Sequence, residues 1–212
     1  MRKKKRMKGI VGIEAAIVLI AFVIVAAALA FVVLNMGMFT TQRSKEVIGR
    51  GLSEASSAIE VDGIVTGNVT NNKVGALLIP LKVAPGREAV DLDPSKLAVK
   101  LVINSGAQGG VAYEDVYIDA VPPNQVTGTD INTLLGYVTQ NGTAKIIIIQ
   151  GDNDKVLEFG EKAILVIRMP TGKYLDTYDE VMVEIKPVEG APLTVERTVP
   201  PSLPESGAVS LG

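Results

Sequence analysis

From Ala15 to Leu34 the chain runs through 20 consecutive positions without a charged or polar side chain. Nothing polar recurs along it, so the helix it predicts is apolar on every side. At 1.5 Å per residue such a helix spans about 30 Å, the thickness of a bilayer's hydrocarbon core. Past Asn35 the pattern changes. Ile48, Leu52, Ala55 and Ile59 fall at i, i+4, i+7 and i+11, one face of a continuing amphipathic helix. Gly49 and Gly51 weaken that face, and Gly63 and Gly67 in "VDGIVTG" are expected to end the helix.

Beyond that point the apolar positions come in short runs rich in Val, Ile and Leu: "KVGALLIPLKV", "KLAVKLVIN", "GVAYEDVYID", "AKIIIIQ", "KAILVIRM", "DEVMVEIK" and "PLTVERTV". In the sixth, Val181, Val183 and Ile185 alternate with Met182, Glu184 and Lys186, as on a half-buried strand. Turn-rich pieces such as "NSGAQGG", "VPPNQVTGTD" and "PTGK" separate the runs. Strands at this spacing with no helical pattern between them predict an antiparallel, Ig-like β-sandwich. The fold class is therefore α+β, a long N-terminal hydrophobic helix followed by a sandwich. The expected segments are a leader over 1–9, the helix over 10–60, the sandwich over 61–199 and a flexible tail, "PPSLPESGAVSLG", over 200–212.

Charge sharpens this division. Six basic residues (Arg2, Lys3, Lys4, Lys5, Arg6 and Lys8) precede the apolar run; without them the formal charge moves from −2 to −8, because 15 basic residues then face 23 acidic ones. An acidic body argues against nucleic acid as a partner. The leading cations should stay cytoplasmic by the positive-inside rule, placing the rest of the chain outside. The chain has no Cys, His or Trp, which removes thiol nucleophiles, disulfides, Cys/His zinc sites and the commonest general base. No G-x-S-x-G, S-x-x-K, P-loop or H-E-x-x-H pattern occurs. No catalytic residue is assigned, and the expectation is that the chain is not an enzyme.

The apolar run admits three readings. It can be a plain membrane anchor for a surface protein, or a secretory signal cut after "AAALA", Ala26 to Ala30, although the apolar run continues through "FVVL". The third places a cut before the run, in "RMKG|IVGIE", between Gly9 and Ile10. That cut removes all six leader cations and makes Glu14 the fifth residue of the mature chain. A plain anchor gives no reason for a carboxylate there, where it costs roughly 2.5–3.5 kcal/mol at a bilayer centre.

"RMKG|IVGIE" resembles the class III signal of type IV pilins and archaeal flagellins (archaellins). The stretch "GIVGIEAAIVLIAFVIVAAALAFVVLNMG" with "FTTQRSKE", and in the outer domain "DNDKVLEFGEKAILVI" and "PLTVERTVP", resemble archaellin patterns. The resemblance implies a subunit of a rotating swimming filament at the archaeal cell surface. It implies a precursor in the cytoplasmic membrane and cleavage by a prepilin-type signal peptidase. It also implies polymerisation with itself, and with sibling flagellins, through the apolar helix with the help of membrane assembly machinery. Glu14 and the small residues Ala26, Ala27, Ala28 and Ala30 would serve assembly. Many archaellins carry an uncharged residue at the place of Glu14, so an adhesive archaeal pilin is the alternative.

Two further features stand apart. Asn68 ("NVT") and Asn141 ("NGT") head N-glycosylation sequons near turn signals. Asp152, Asn153 and Asp154 in "GDNDK" could offer oxygen ligands to Ca²⁺, while a turn rich in Asn and Asp needs no metal. No other cofactor is expected.

Overall fold

The computed structural model describes residues 10–54, 59–106 and 109–211, and the chain divides into two compact units near Gly51. The first is a single helix, α1 (Ile10–Glu54), of 45 residues, about 68 Å long. Its many Val and Ile side chains are stiff at χ1 and are only moderate helix formers in water. In an apolar surrounding no water competes for backbone N–H and C=O groups, and a helix is the structure that satisfies them all. Gly49 and Gly51 lie inside α1 and do not stop it.

The second unit begins with β1 (Ile59–Val61), β2 (Thr66–Thr70), β3 (Lys73–Val83) and β4 (Val90–Asp91). It continues with β5 (Leu97–Ser105), β6 (Gly109–Tyr113), β7 (Tyr117–Val121), a short helix α2 (Ile131–Gly136) and β8 (Ala144–Gln150). Then come β9 (Val156–Leu157), β10 (Lys162–Arg168), β11 (Glu180–Pro187), β12 (Leu193–Thr198) and β13 (Ser206–Ser210). The larger sheet runs β13-β2-β3-β10-β8-β7 with β1 added on β3, the smaller β12-β11-β5-β6, and β4 pairs with β9. Inward side chains of both sheets meet in one core: Leu77, Ile79, Ile146 and Leu165 from the larger, Val99, Leu101, Val183 and Ile185 from the smaller. This is the expected sandwich.

Four details differ from the sequence expectation. Ile59 is not on the helix; it opens β1 opposite Val83 and is buried, because its apolar side chain fills the core at the strand's entry. Gly67 does not end a helix either. It lies within β2, where a Cβ would stand 2.9 Å from Val74 Cγ1, so the strand needs a residue without one. The segment "GVAYEDVYID" is two strands: the chain turns at Asp115 (φ 54°) and passes from the smaller sheet to the larger. The tail is not free, for β13 pairs with β2 from Ser206↔Thr70 to Ser210↔Thr66 and Leu211 is buried beyond it.

The larger sheet also carries a helix that the expectation lacked. β7 and β8 run parallel, so the chain must cross over between them, and α2 makes that crossing. Asp130 caps α2, accepting from the Thr133 N–H at 3.0 Å and from its hydroxyl at 2.6 Å. Leu134, Leu135 and Val138 then cover Ala76, Leu78, Ile147 and Val166 on the sheet's outer side.

Candidate assembly surface

Along α1 the apolar side chains stand open: Phe22 is 71% exposed and Leu34 70%. A helix apolar all round is stable only when something apolar surrounds it, lipid or other helices. Glu14 and Ala26, Ala27, Ala28 and Ala30 are exposed too. Ala26 and Ala30 share one face at i, i+4, while Ala27 and Ala28 point to two other sides, each 100° further round. Close approach of neighbouring helices is therefore possible from several directions. Ile10 is the first described residue of α1, and Gly9 lies outside the described residues.

The polar end of the apolar segment is self-contained. Thr40 and Thr41 donate their hydroxyls to the carbonyls of Met36 and Gly37, both at 2.8 Å, which leaves neither hydroxyl hydrogen bare in an apolar surrounding. The Arg43 guanidinium sits 5.3 Å from the Phe39 ring centroid, a cation–π contact suited to an interface. Its only signal in the sequence is local: Thr at the end of an apolar helix, with Phe39 and Arg43 at i, i+4.

Where the second unit begins, Asp62 lies between two lysines, 3.2 Å from Lys82 Nζ and 3.1 Å from Lys162 Nζ. Their hydrogen bonds, that of Lys162 foremost, hold its carboxyl below the usual carboxylate range. The sequons sit differently. Asn141 is exposed in a turn and donates from Nδ2 to Thr171 Oγ1 at 3.1 Å. Asn68, expected near a turn, is half-buried within β2 between β3 and β13.

In the loop over 152–154, one Asp154 oxygen accepts from the Val156 N–H at 2.8 Å, and the Asp152 N–H is held by Glu161 at 3.0 Å. Glu161's other oxygen accepts from Glu158. Among the described residues no three acidic, His or Cys side chains come together as a metal cage. Hydrogen bonds from backbone N–H groups to the Asp154 and Glu161 carboxylates shape this loop.

A family model, archaeal-type flagellin, matches residues 9–197. The chain belongs to the archaeal-type flagellin family. This flagellin is 54% identical over 209 residues to the Aeropyrum pernix protein named "Probable flagellin 1", the match covering 98% of this chain and 100% of that one. To "Probable flagellin 1" of Archaeoglobus fulgidus it is 33% identical, with 96% and 95% covered. Among solved structures it resembles the subunit of the archaeal flagellum of Methanospirillum hungatei, with TM-score 0.58, 27% identity, and 93% and 98% of the two chains covered. Archaeal flagellin FlaB1 of Methanocaldococcus jannaschii shares the fold at TM-score 0.59 and 18% identity, over 74% of this chain and 97% of that one.

Proposed function

We propose that this flagellin is the structural subunit of a rotating archaellum filament, built by packing α1 of many copies side by side. The observation that carries the reading is the exposed, all-round apolar surface of α1, in a chain that aligns over nearly its whole length with a flagellum subunit. In the precursor the same surface dissolves in the cytoplasmic membrane. With Glu14 at the inner interface, 20 residues of helix reach Leu34 across about 30 Å of hydrocarbon. Assembly then exchanges lipid for neighbouring helices. Each copy meets its neighbours through different faces, so contacts are heterologous and extend as an open helix outside the cell, with the sandwich as its wall. The assembly step itself makes and breaks no covalent bond, and the chain is not an enzyme.

Leader removal by a prepilin-type peptidase, between Gly9 and Ile10, frees the α-amine of Ile10. That amine has a reference pKa of roughly 8 and is protonated at neutral pH. Together with the positive end of the helix dipole it offers a partner for Glu14 of a neighbouring copy. An unpaired charge among apolar helices is costly, so the pair fixes axial register more than it adds net stability. N-terminal sequencing of sheared surface filaments tests this reading: the main band begins at Ile10. A start near Leu29 or Phe31, or an intact leader on a membrane-bound monomer, would overturn it.

A further inference from the structure

The two sheets end in four outer strands, and these differ in chemistry. β7 carries Asp119, engaged by Lys155 at 2.8 Å, and β12 carries Glu196 and Arg197. Charges of this kind keep a strand edge from pairing with another chain. β13 ("SGAVS") and β6 ("GGVAY") carry neither charge nor proline. Among the described residues β13 pairs only with β2, and β6 only with β5. The Leu211 N–H donates to the Val65 carbonyl at 3.0 Å, and hydrogen-bonded pairs alternate along an antiparallel ladder. Ala208 and Ser210 therefore turn their N–H and C=O groups away from β2, toward the open edge. Gly109, Gly110 and Gly207 are exposed and leave bare backbone for another strand to approach.

The two uncharged edges lie on opposite sides of the sandwich. On one side β6 of the smaller sheet leads into β7 of the larger, where the Val116 N–H donates to the Val99 carbonyl at 2.9 Å. On the other, β12 leads into β13, and the Glu205 carbonyl just before β13 accepts from the Asn72 N–H at 3.3 Å. Subunits added from the membrane all carry α1 into the filament in the same direction, so no two-fold axis relates neighbours. An edge then cannot meet its own counterpart and must meet a different one. We propose that β13 of one copy adds to β6 of the next, so that backbone hydrogen bonds link neighbouring sandwiches laterally. The occupant of each edge is a second copy of this chain. Five residues on each side would pair weakly between free molecules. The packed α1 helices hold the edges side by side and raise their effective concentration. The inference rests on the filament reading.

The test uses native filaments. The chain has no Cys, so introduced thiols report one contact at a time. Ala112→Cys is combined in turn with Ser206→Cys, Ala208→Cys and Ser210→Cys, all at exposed positions, and filaments are treated with a short bis-maleimide. Paired strands lie about 4.8 Å apart, within its reach in any register. At least one combination should give a covalent ladder of trimers and larger, at least tenfold above any single variant. Ala112→Cys with Asn132→Cys, exposed on α2 and away from both edges, should give none. Ala208→Pro removes an outward N–H and leaves the ladder with β2. Its filaments should still form through α1, with amide exchange of residues 109–113 at least threefold faster than in wild type, and Ala208→Ser should exchange as wild type. No ladder, a ladder as strong with Asn132→Cys, dimers from a single variant, or equal exchange in Ala208→Pro overturns the proposal. Filaments that form without the ladder sink this inference alone; absence of any extracellular filament sinks the filament reading as well.

Discussion

Replacing Leu211 by alanine should destabilise the sandwich although the residue stands next to last in the chain. Its side chain is 3% exposed and belongs to the core shared by both sheets. Its N–H donates to the Val65 carbonyl at 3.0 Å, closing the ladder that β13 makes with β2. Removing a buried leucine down to alanine costs about 2–5 kcal/mol, depending on how far the site collapses. Leu211 follows β13, an edge strand whose surroundings can settle into the space left, so the cost belongs near the lower limit, about 2–3 kcal/mol. For a domain on the order of 150 residues each kcal/mol moves Tm by about 2–4 °C, which gives a drop of about 4–12 °C. Calorimetry of sheared filaments, wild type against Leu211→Ala, reads this directly. Leu211→Met keeps volume and should fall by less than half as much. A Leu211→Ala melt within about 1 °C of wild type, or a methionine variant as damaged as the alanine one, would refute the anchoring of the C-terminal strand.

Other outcomes follow from the same geometry. Glu14→Val should leave processing at Gly9 intact but sharply lower incorporation beside wild-type subunits, with Glu14→Asp milder because its reach is shorter; wild-type filament yield from Glu14→Val cells would sink the pairing with the Ile10 amine. Asp62 is held below the usual carboxylate range by Lys162 and Lys82, and Asp91 by Lys96 and the Asp93 N–H. Such depressed values contribute stability that is complete above the unfolded carboxylate pKa of about 3.9 and is lost as pH falls through the folded values. Melting should therefore be flat from about pH 5 to 7 and decline below about pH 4, by a modest amount because solvent reaches both half-buried groups; a rise below pH 4 would contradict the sign. Chelator should leave the melting temperature unchanged, since the Asp154 and Glu161 carboxylates already accept backbone N–H groups that shape the loop of Asp152, Asn153 and Asp154; a clear drop would show that a metal is bound.

The helix and most strands were legible because their apolar patterns are local. "KVGALLIPLKV" is β3 from end to end and "AKIIIIQ" is β8. The same two runs held a signal that went unused. Neither alternates, as a strand with one wet face would, and four consecutive isoleucines require cover on both sides. α2 supplies that cover, but six residues are too few for a 3.6-residue period to stand out in "TDINTLLG". The tail was misleading because Pro, Ser and Gly disfavour order by composition. What orders β13 is the unpaired edge of β2 and a core site for Leu211, both distant in sequence. Ile59 continued a helical period by coincidence, and only its pairing with Val83 decides against it. On the assembly surface the apolar face and Glu14 were visible in the chain. The two uncharged edges were not, since which strands end each sheet depends on pairings between distant segments.

The central claim is that α1 of many copies forms the shared core of a filament and the sandwich its wall. Electron cryo-microscopy of filaments sheared from cells, resolved well enough to trace side chains, tests it most directly. The account predicts residues 10–54 of every subunit packed around the filament axis, with Glu14 beside the Ile10 amine of a neighbour and the sandwich outermost. Filaments whose subunits join through the sandwiches while α1 stays outside the core would contradict it.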